Sequence, residues 1–298
     1  MNSEHTSTLI VGSDGLLGQA LMTYYNSLGS PVMGTTRNQH RLDDKHIFVD
    51  LANIDKKWRP PENIGKAIIC AGITNVSVCE EFPAKTRHTN VDSISQLLEI
   101  LSLRNIFFTY LSSNRVFDGY SEYCKPNDPK FPNTEYGRQK LDVEAIVRNL
   151  TDSASIIRLT KVLQPQNPLF QSWVKALSNN MVIHPILDTV LSPIPIDIAM
   201  HLIMIITENI QNGIWHLSGD TDIKYVDIAN EYAKSLGVSV DLVQPIPREN
   251  GQSYFPEPYN TTLDSSHTTN KTGIAPPNSW ASIQSTFAAS RGVSNGRN

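Results

Sequence analysis

Thr8-Leu9-Ile10-Val11-Gly12-Ser13-Asp14-Gly15-Leu16-Leu17-Gly18 is the stretch that decides how this chain is read. Four apolar or β-branched residues in succession suit a strand buried on both faces. Leu17, Leu21, Tyr24 and Leu28 then recur at helical spacing. The Gly-x-x-Gly-x-x-Gly run between them permits a sharp turn and lets backbone approach a pyrophosphate at the positive end of the helix. Alone, such a run is also an ordinary strand-to-helix turn. A strand before it and an amphipathic helix after it favour a dinucleotide.

Working outward, Val32 to Thr35, Ile47 to Val49, Ala67 to Cys70, Ile106 to Leu111 and Ile156 to Ile157 read as further strands. Val91, Ile94, Leu97, Leu98 and Leu101 mark a helix, and Tyr136 to Leu150 another. This βαβ alternation predicts an α/β protein with a doubly wound parallel sheet, a Rossmann fold, binding ligands at the carboxyl ends of its strands. After Leu163 prolines at 165, 168, 185, 193 and 195 break the pattern, and 244–262 is rich in Pro, Asn and Gly. The expected organisation is a dinucleotide-binding domain over 1–162, rejoined by a strand and helix near 213–236. A smaller C-terminal substrate lobe over 163–287 and a disordered tail over 288–298 complete it.

Composition narrows the function. The 298 residues are 40% hydrophobic and 18% charged with a net charge of -4, and no dense Lys/Arg run invites nucleic acid. Met1 to Ser7 is polar, and the longest apolar segment, Val190 to Ile206, contains Pro193, Pro195, Asp197 and His201. We therefore expect no export signal, no membrane span and a cytoplasmic location. Three cysteines without CxxC spacing suggest buried thiols, and eight scattered histidines predict no metal site.

The second strand ends in Thr35-Thr36-Arg37-Asn38, without the carboxylate that would bind the ribose hydroxyls of NAD. Arg37 can pair with a ribose phosphate, which favours NADP(H) over NAD(H). Asp50 and Leu51, ending the third strand, stand where an adenine would be contacted or where the strand simply turns. Of ten tyrosines, Tyr136 is followed four residues later by Lys140 on the same helical face. A nearby ammonium would lower the phenol pKa from its usual ~10 and suit Tyr136 to exchange a proton with a carbonyl. Alone, the pair is more often packing plus a surface lysine. Ser112 and Ser113 put hydroxyls at the carboxyl end of another strand, where Ser113 can hold a substrate oxygen.

These features resemble the extended short-chain dehydrogenase/reductases, and among them the dTDP-4-dehydrorhamnose reductase-like group of sugar-nucleotide reductases. The resemblance is carried by Leu9 to Gly18, Cys70-Ala71-Gly72-Ile73-Thr74-Asn75-Val76, Leu111 to Gly119, Glu135-Tyr136-Gly137-Arg138-Gln139-Lys140, Ile157-Arg158-Leu159-Thr160 and Thr262-Leu263-Asp264. It implies a catalytic trio of Ser113, Tyr136 and Lys140, with Lys140 also holding the nicotinamide ribose. Dinucleotide contacts are implied at Gly12, Asp14, Gly15, Leu16, Leu17, Ala71, Gly72 and Thr74, with Asn90 near the cofactor.

Where the better-known reductases carry Asp and then Tyr after the catalytic hydroxyl, this chain has Asn114 and Arg115; where a Trp often follows the sixth strand, it has Lys161. Asn114 and Lys161 join Ser113 as expected substrate contacts. The reaction implied is NAD(P)H-dependent reduction of a keto group on a nucleotide-linked sugar, in cell-surface polysaccharide or deoxysugar biosynthesis, with a homodimer left open. A dehydratase needs a carboxylate that Asn114-Arg115 does not supply. An epimerase and a non-catalytic dinucleotide-binding regulatory subunit stay open as alternatives.

Overall fold

The computed structural model describes residues 6–247 and 258–294. In order come β1 (Ser7–Val11), α1 (Leu16–Ser27), β2 (Val32–Thr36), β3 (His46–Phe48), β4 (Ile64–Ile69), α2 (Val76–Glu81), α3 (Pro83–Arg87), α4 (Ile94–Leu103), β5 (Phe107–Ser113), α5 (Glu135–Leu150) and β6 (Ala154–Leu159). There follow β7 (Lys161–Leu163), α6 (Pro168–Ser178), β8 (Val190–Leu191), β9 (Pro193–Pro195), α7 (Ile196–Glu208), β10 (Gly213–Leu217), β11 (Ile223–Lys224), α8 (Tyr225–Leu236), α9 (Ser266–Thr272) and α10 (Ser279–Ser294). No helix among the described residues is long and apolar enough to cross a membrane.

The chain divides into two compact units. The first comprises Met1–Phe117, Lys130–Arg158 and Met200–Trp215. Its frame is a seven-stranded sheet of order β10-β6-β5-β4-β1-β2-β3. β1 pairs in parallel with both β2 and β4, β2 with β3, and β4 with β5. The chain winds one way from β1 to β3 and the other way from β4, so a switch point lies between β1 and β4, where such sheets bind ligands. Every residue of β1, β5 and β6 is buried, which is what their unbroken apolar runs demand of strands covered on both faces.

The sequence reading did not foresee how the last part of α7 returns to this unit. Glu208 accepts from the Tyr25 hydroxyl at 2.6 Å and from Thr8 at 3.2 Å, and pairs with Lys66, so three elements converge on one carboxylate. Thr207 adds a buried hydroxyl contact of 2.8 Å to Thr109 on β5. A buried polar group needs such partners to offset lost hydration.

The second unit comprises Asp118–Pro129, Leu159–Ala199 and His216–Asn298. Its core gathers Phe170, Trp173 and Leu177 of α6 with Ile228, Tyr232 and Ala233 of α8 and Ile283 of α10. Phe170 meets the rings of Trp173, Tyr225 and Tyr232 at centroid distances of 5.5, 6.3 and 5.7 Å. The helix expected to rejoin the first domain near 225–236 therefore packs here, because its apolar face complements α6; the strand at 213 is the sheet's edge, β10. The tail expected to be disordered from 288 is helical through Ser294, since Phe287 packs against Tyr232 at 4.7 Å and Thr286 and Ser290 are buried. Residues 295–298 and 248–257 lie outside the described residues.

Candidate active site

At the switch point, β1 runs into the glycine turn. Gly12 adopts φ +87°, and a Cβ there would stand 2.8 Å from Ala71 at the end of β4, so both backbone conformation and close approach require glycine. Gly15 differs: a Cβ on it would meet only the Gly12 carbonyl oxygen, at an ordinary 3.5 Å. It begins α1 without a side-chain cap, and no acidic residue occupies the first turn. Exposed Gly15 and Leu16 thus border a helix N-terminus whose N–H groups favour an anion. Those features fit a pyrophosphate.

Asp14 corrects the expectation that the end of β2 lacks a carboxylate. The turn folds it over that strand, where it accepts from the Thr36 hydroxyl at 2.6 Å and pairs with Arg41 at 2.5 Å. Arg37 is exposed just beyond β2 and makes no ion pair among the described residues. Asp50 spends its carboxylate on its own turn, accepting from Ala52 N at 3.1 Å and Asn53 Nδ2 at 2.9 Å. Leu51 is a core residue. For these two the strand-end turn is what the structure displays.

Beyond β4, Ala71, Gly72 and Thr74 form a partly exposed loop clamped by Asn90. Its amide oxygen accepts from Ile73 N at 2.7 Å, while its nitrogen donates to Ile73 O at 2.9 Å and to Gln139 Oε1 of α5 at 2.7 Å. Asn90 lies in a π-helical stretch, His88–Ser93, between α3 and α4. Such irregularities recur at functional sites. Its role here is to hold the loop against α5.

The hydroxyl trio lies on the seam between β5 and α5. Thr134 caps α5 by accepting from Gly137 N at 3.1 Å, which sets Tyr136 in the first turn. Gly137 is required by approach: a Cβ there would stand 2.1 Å from the Arg115 carbonyl oxygen. This closeness sets Tyr136 near enough to Ser113 for that side chain to oppose the rise of the phenol pKa. Ser113 also donates to Asn114 Oδ1 and accepts from Arg115 N, both at 3.2 Å. Lys140 donates to the Leu111 carbonyl oxygen at 2.8 Å, its ammonium 4.7 Å from the Tyr110 ring centroid and 5.8 Å from that of Tyr136.

Burial governs the titration of this seam. It pushes the Tyr136 phenol up to about 12, opposed by the Ser113 hydrogen bond and the charge of Arg115. The same desolvation brings Lys140 down to about 8, opposed by Glu144. In this structure the ammonium is directed at Leu111 and Tyr110, and Ser113 and Arg115 are what oppose the rise of the Tyr136 pKa. Arg115 was noted in the sequence only as a departure. Lys161, by contrast, belongs to the second unit, exposed at the start of β7.

Fold and site together define an α/β protein with a Rossmann-like sheet, in which Ser113, Tyr136 and Lys140 gather at one strand end. The family model described as RmlD substrate binding domain matches residues 6–291, and the chain belongs to that family. This bears out the resemblance read from the sequence. A probable low-salt glycan biosynthesis reductase, Agl14, of Haloferax volcanii is 23% identical over 279 residues, covering 90% of this chain and 93% of that one. The methionine adenosyltransferase 2 subunit beta of Xenopus laevis is 25% identical over 272 residues, covering 87% and 80%. A crystal structure of dTDP-4-dehydrorhamnose reductase from Bacillus anthracis, in complex with NADP, shares the fold with a TM-score of 0.78 at 17% identity, covering 97% of this chain and 99% of that one.

Proposed function

We propose that this protein reduces a keto group on a nucleotide-linked sugar with NADPH. The observation that carries the reading is the gathering of Ser113, Tyr136 and a buried Lys140 at the carboxyl end of β5, two strands from the β1 glycine turn. Membership of the family and the named reductases among its relatives support it.

The reduced nicotinamide, when bound, supplies the hydride to the keto carbon. Gly12, Gly15 and the start of α1 hold the pyrophosphate, with Leu16, Leu17, Ala71, Gly72 and Thr74 around the dinucleotide. Ser113 orients the keto oxygen by donating to it. Tyr136, with a pKa of about 12, is fully protonated at neutral pH and so gives its proton to that oxygen, completing the alcohol. Lys140 holds the nicotinamide ribose and contributes positive charge near the developing alkoxide. Asn114 and Lys161 are proposed to contact the sugar nucleotide.

For the cofactor, charges at the β2 edge compete. Asp14 suits ribose hydroxyls, whereas Arg37 and Arg41 suit a ribose phosphate. Two guanidinium groups against one carboxylate, itself already paired, favour NADPH.

A second reading, a dinucleotide-binding regulatory subunit, draws on the methionine adenosyltransferase subunit beta among the relatives. Titration with NADPH and NADH, followed by NADPH oxidation against nucleoside-diphosphate keto-sugars, separates the two. Tighter NADPH binding with turnover is the expected result. Binding without turnover across the panel favours the regulatory reading, and no dinucleotide binding rejects both.

A further inference from the structure

Three consecutive residues at the end of β5 each engage α5, the first two by hydrogen bonds and the third by lying beside Tyr136, and their partners are four residues apart along that helix. The Leu111 carbonyl accepts from Lys140, the Ser112 hydroxyl donates to Glu144 Oε1 at 2.6 Å, and the Ser113 hydroxyl meets Tyr136. Residues 136, 140 and 144 lie on one helical face, so the strand end is fastened rung by rung. The last rung reaches furthest into the protein. Glu144 and Arg158 of β6 are both fully buried and paired through two contacts, Nε to Oε1 at 2.9 Å and Nη2 to Oε2 at 2.6 Å. The Arg158 guanidinium also lies 5.2 Å from the Phe117 ring centroid.

A buried ion pair is a costly way to join a helix to a strand, and apolar residues of similar volume often do it as well. Its neighbour gives the pair a purpose. Lys140 is a buried cation, one turn before Glu144. The other titratable groups around it are Cys70 at the end of β4, Cys79 of α2, Tyr110 of β5 and Tyr136 of α5. Burial pushes both thiols and both phenols above their ordinary values, so each is neutral near pH 7. Among the described residues that act on Lys140, Glu144 is therefore the one anion.

We infer that Glu144, fixed by Arg158 and Ser112, is a positioning residue that keeps Lys140 charged while locking the end of β5 in register with α5. The inference rests on the reductase reading only for what the Lys140 charge is used to do. Removing the carboxylate leaves the ammonium buried beside neutral groups and the Arg158 guanidinium, and it then loses its proton at lower pH.

The test is NMR titration of the Lys140 side chain in ligand-free protein with isotopically labelled lysine, the signal assigned by its loss in Lys140→Arg. Glu144→Gln is expected to lower the midpoint by about one pH unit or more, a tenfold loss of proton affinity. Glu144→Asp, which keeps the charge, should shift it by less than half as much. Should Glu144→Gln fail to fold because Arg158 is stranded, Glu144→Gln with Arg158→Met removes both charges, and a lowering in the same direction but smaller is expected, because the loss of the guanidinium partly offsets that of the nearer carboxylate. An unchanged midpoint in either folded variant overturns the inference. Because the titration needs neither cofactor nor substrate, its failure is separate from failure of the reductase reading, which shows instead as absent NADPH binding or turnover.

Discussion

The seam between β5 and α5 and the edge beyond β2 both carry charge, in opposite settings. At the seam, Glu144 and Arg158 are fully buried and Lys140 nearly so. At the edge, the side chains of Arg41 and Asp14 keep 41% and 36% of their exposure, and Arg37 is exposed as well. Water screens the edge and leaves its residues replaceable, whereas the seam must satisfy each polar group internally. A reductase of this design would keep its chemistry on the rigid seam and its cofactor preference on the adjustable edge.

That contrast is broken or sharpened by substitution. At the seam, Ser113→Ala should lower turnover about a hundredfold, the cost of removing one donor to a developing oxyanion, while NADPH affinity stays within about twofold. Steady-state kinetics beside a fluorescence titration checks this, and unaltered turnover would remove Ser113 from the chemistry.

Next in size, Gly137→Ala should destabilise the fold by about 1–3 kcal/mol, because a Cβ cannot share space with the Arg115 carbonyl. Gly15→Ala should leave stability within ~0.5 kcal/mol yet weaken dinucleotide binding, since only ligand would occupy that space. Urea denaturation and binding curves on both variants separate structural from functional glycine. Equal destabilisation would deny Gly15 a ligand role.

At the edge, Arg41→Ala should weaken NADPH binding about tenfold, the scale of one charge-assisted hydrogen bond, and leave NADH nearly unaffected. Asp14→Asn should act oppositely and more weakly, strengthening NADPH binding a few-fold. Equal changes for both cofactors would show that the edge does not read the phosphate.

The pH dependence belongs to the seam. Tyr136 stays protonated below about 12, whereas burial brings Lys140 down to about 8, so reduction is expected to fall between pH 7 and 9 as Lys140 loses its proton. Burial depresses the folded Lys140 pKa below its unfolded value of 10.5, so its contribution to stability is least below pH 8 and rises as pH climbs toward 10.5. Activity should thus decline over a range in which this one group opposes folding progressively less. Activity and denaturant midpoints measured on the same samples check the two opposite trends.

Much of the fold was legible because parallel strands buried on both faces leave unbroken apolar runs, as in β1 and β5. The glycine turn and the Tyr136–Lys140 spacing were legible for similar reasons, each being a local pattern. Legibility failed where one residue serves a distant element. Asp14 reads as turn filler until the turn folds it onto β2, and Glu144 reads as a helix-surface acid until Arg158 arrives from the next strand. The Glu208 cluster joins residues nearly two hundred positions apart, with no local periodicity to announce it. Gly137 beside Tyr136 was a visible signal, yet its meaning depends on the Arg115 carbonyl.

The most direct test of the central claim compares wild type with Tyr136→Phe in NADPH oxidation against the same keto-sugar nucleotide, with NADPH affinity measured alongside. The account predicts turnover reduced about a thousandfold with affinity for NADPH retained, the proton donor gone and the cradle intact. Turnover that survives the substitution would contradict it and place the chemistry elsewhere in the molecule.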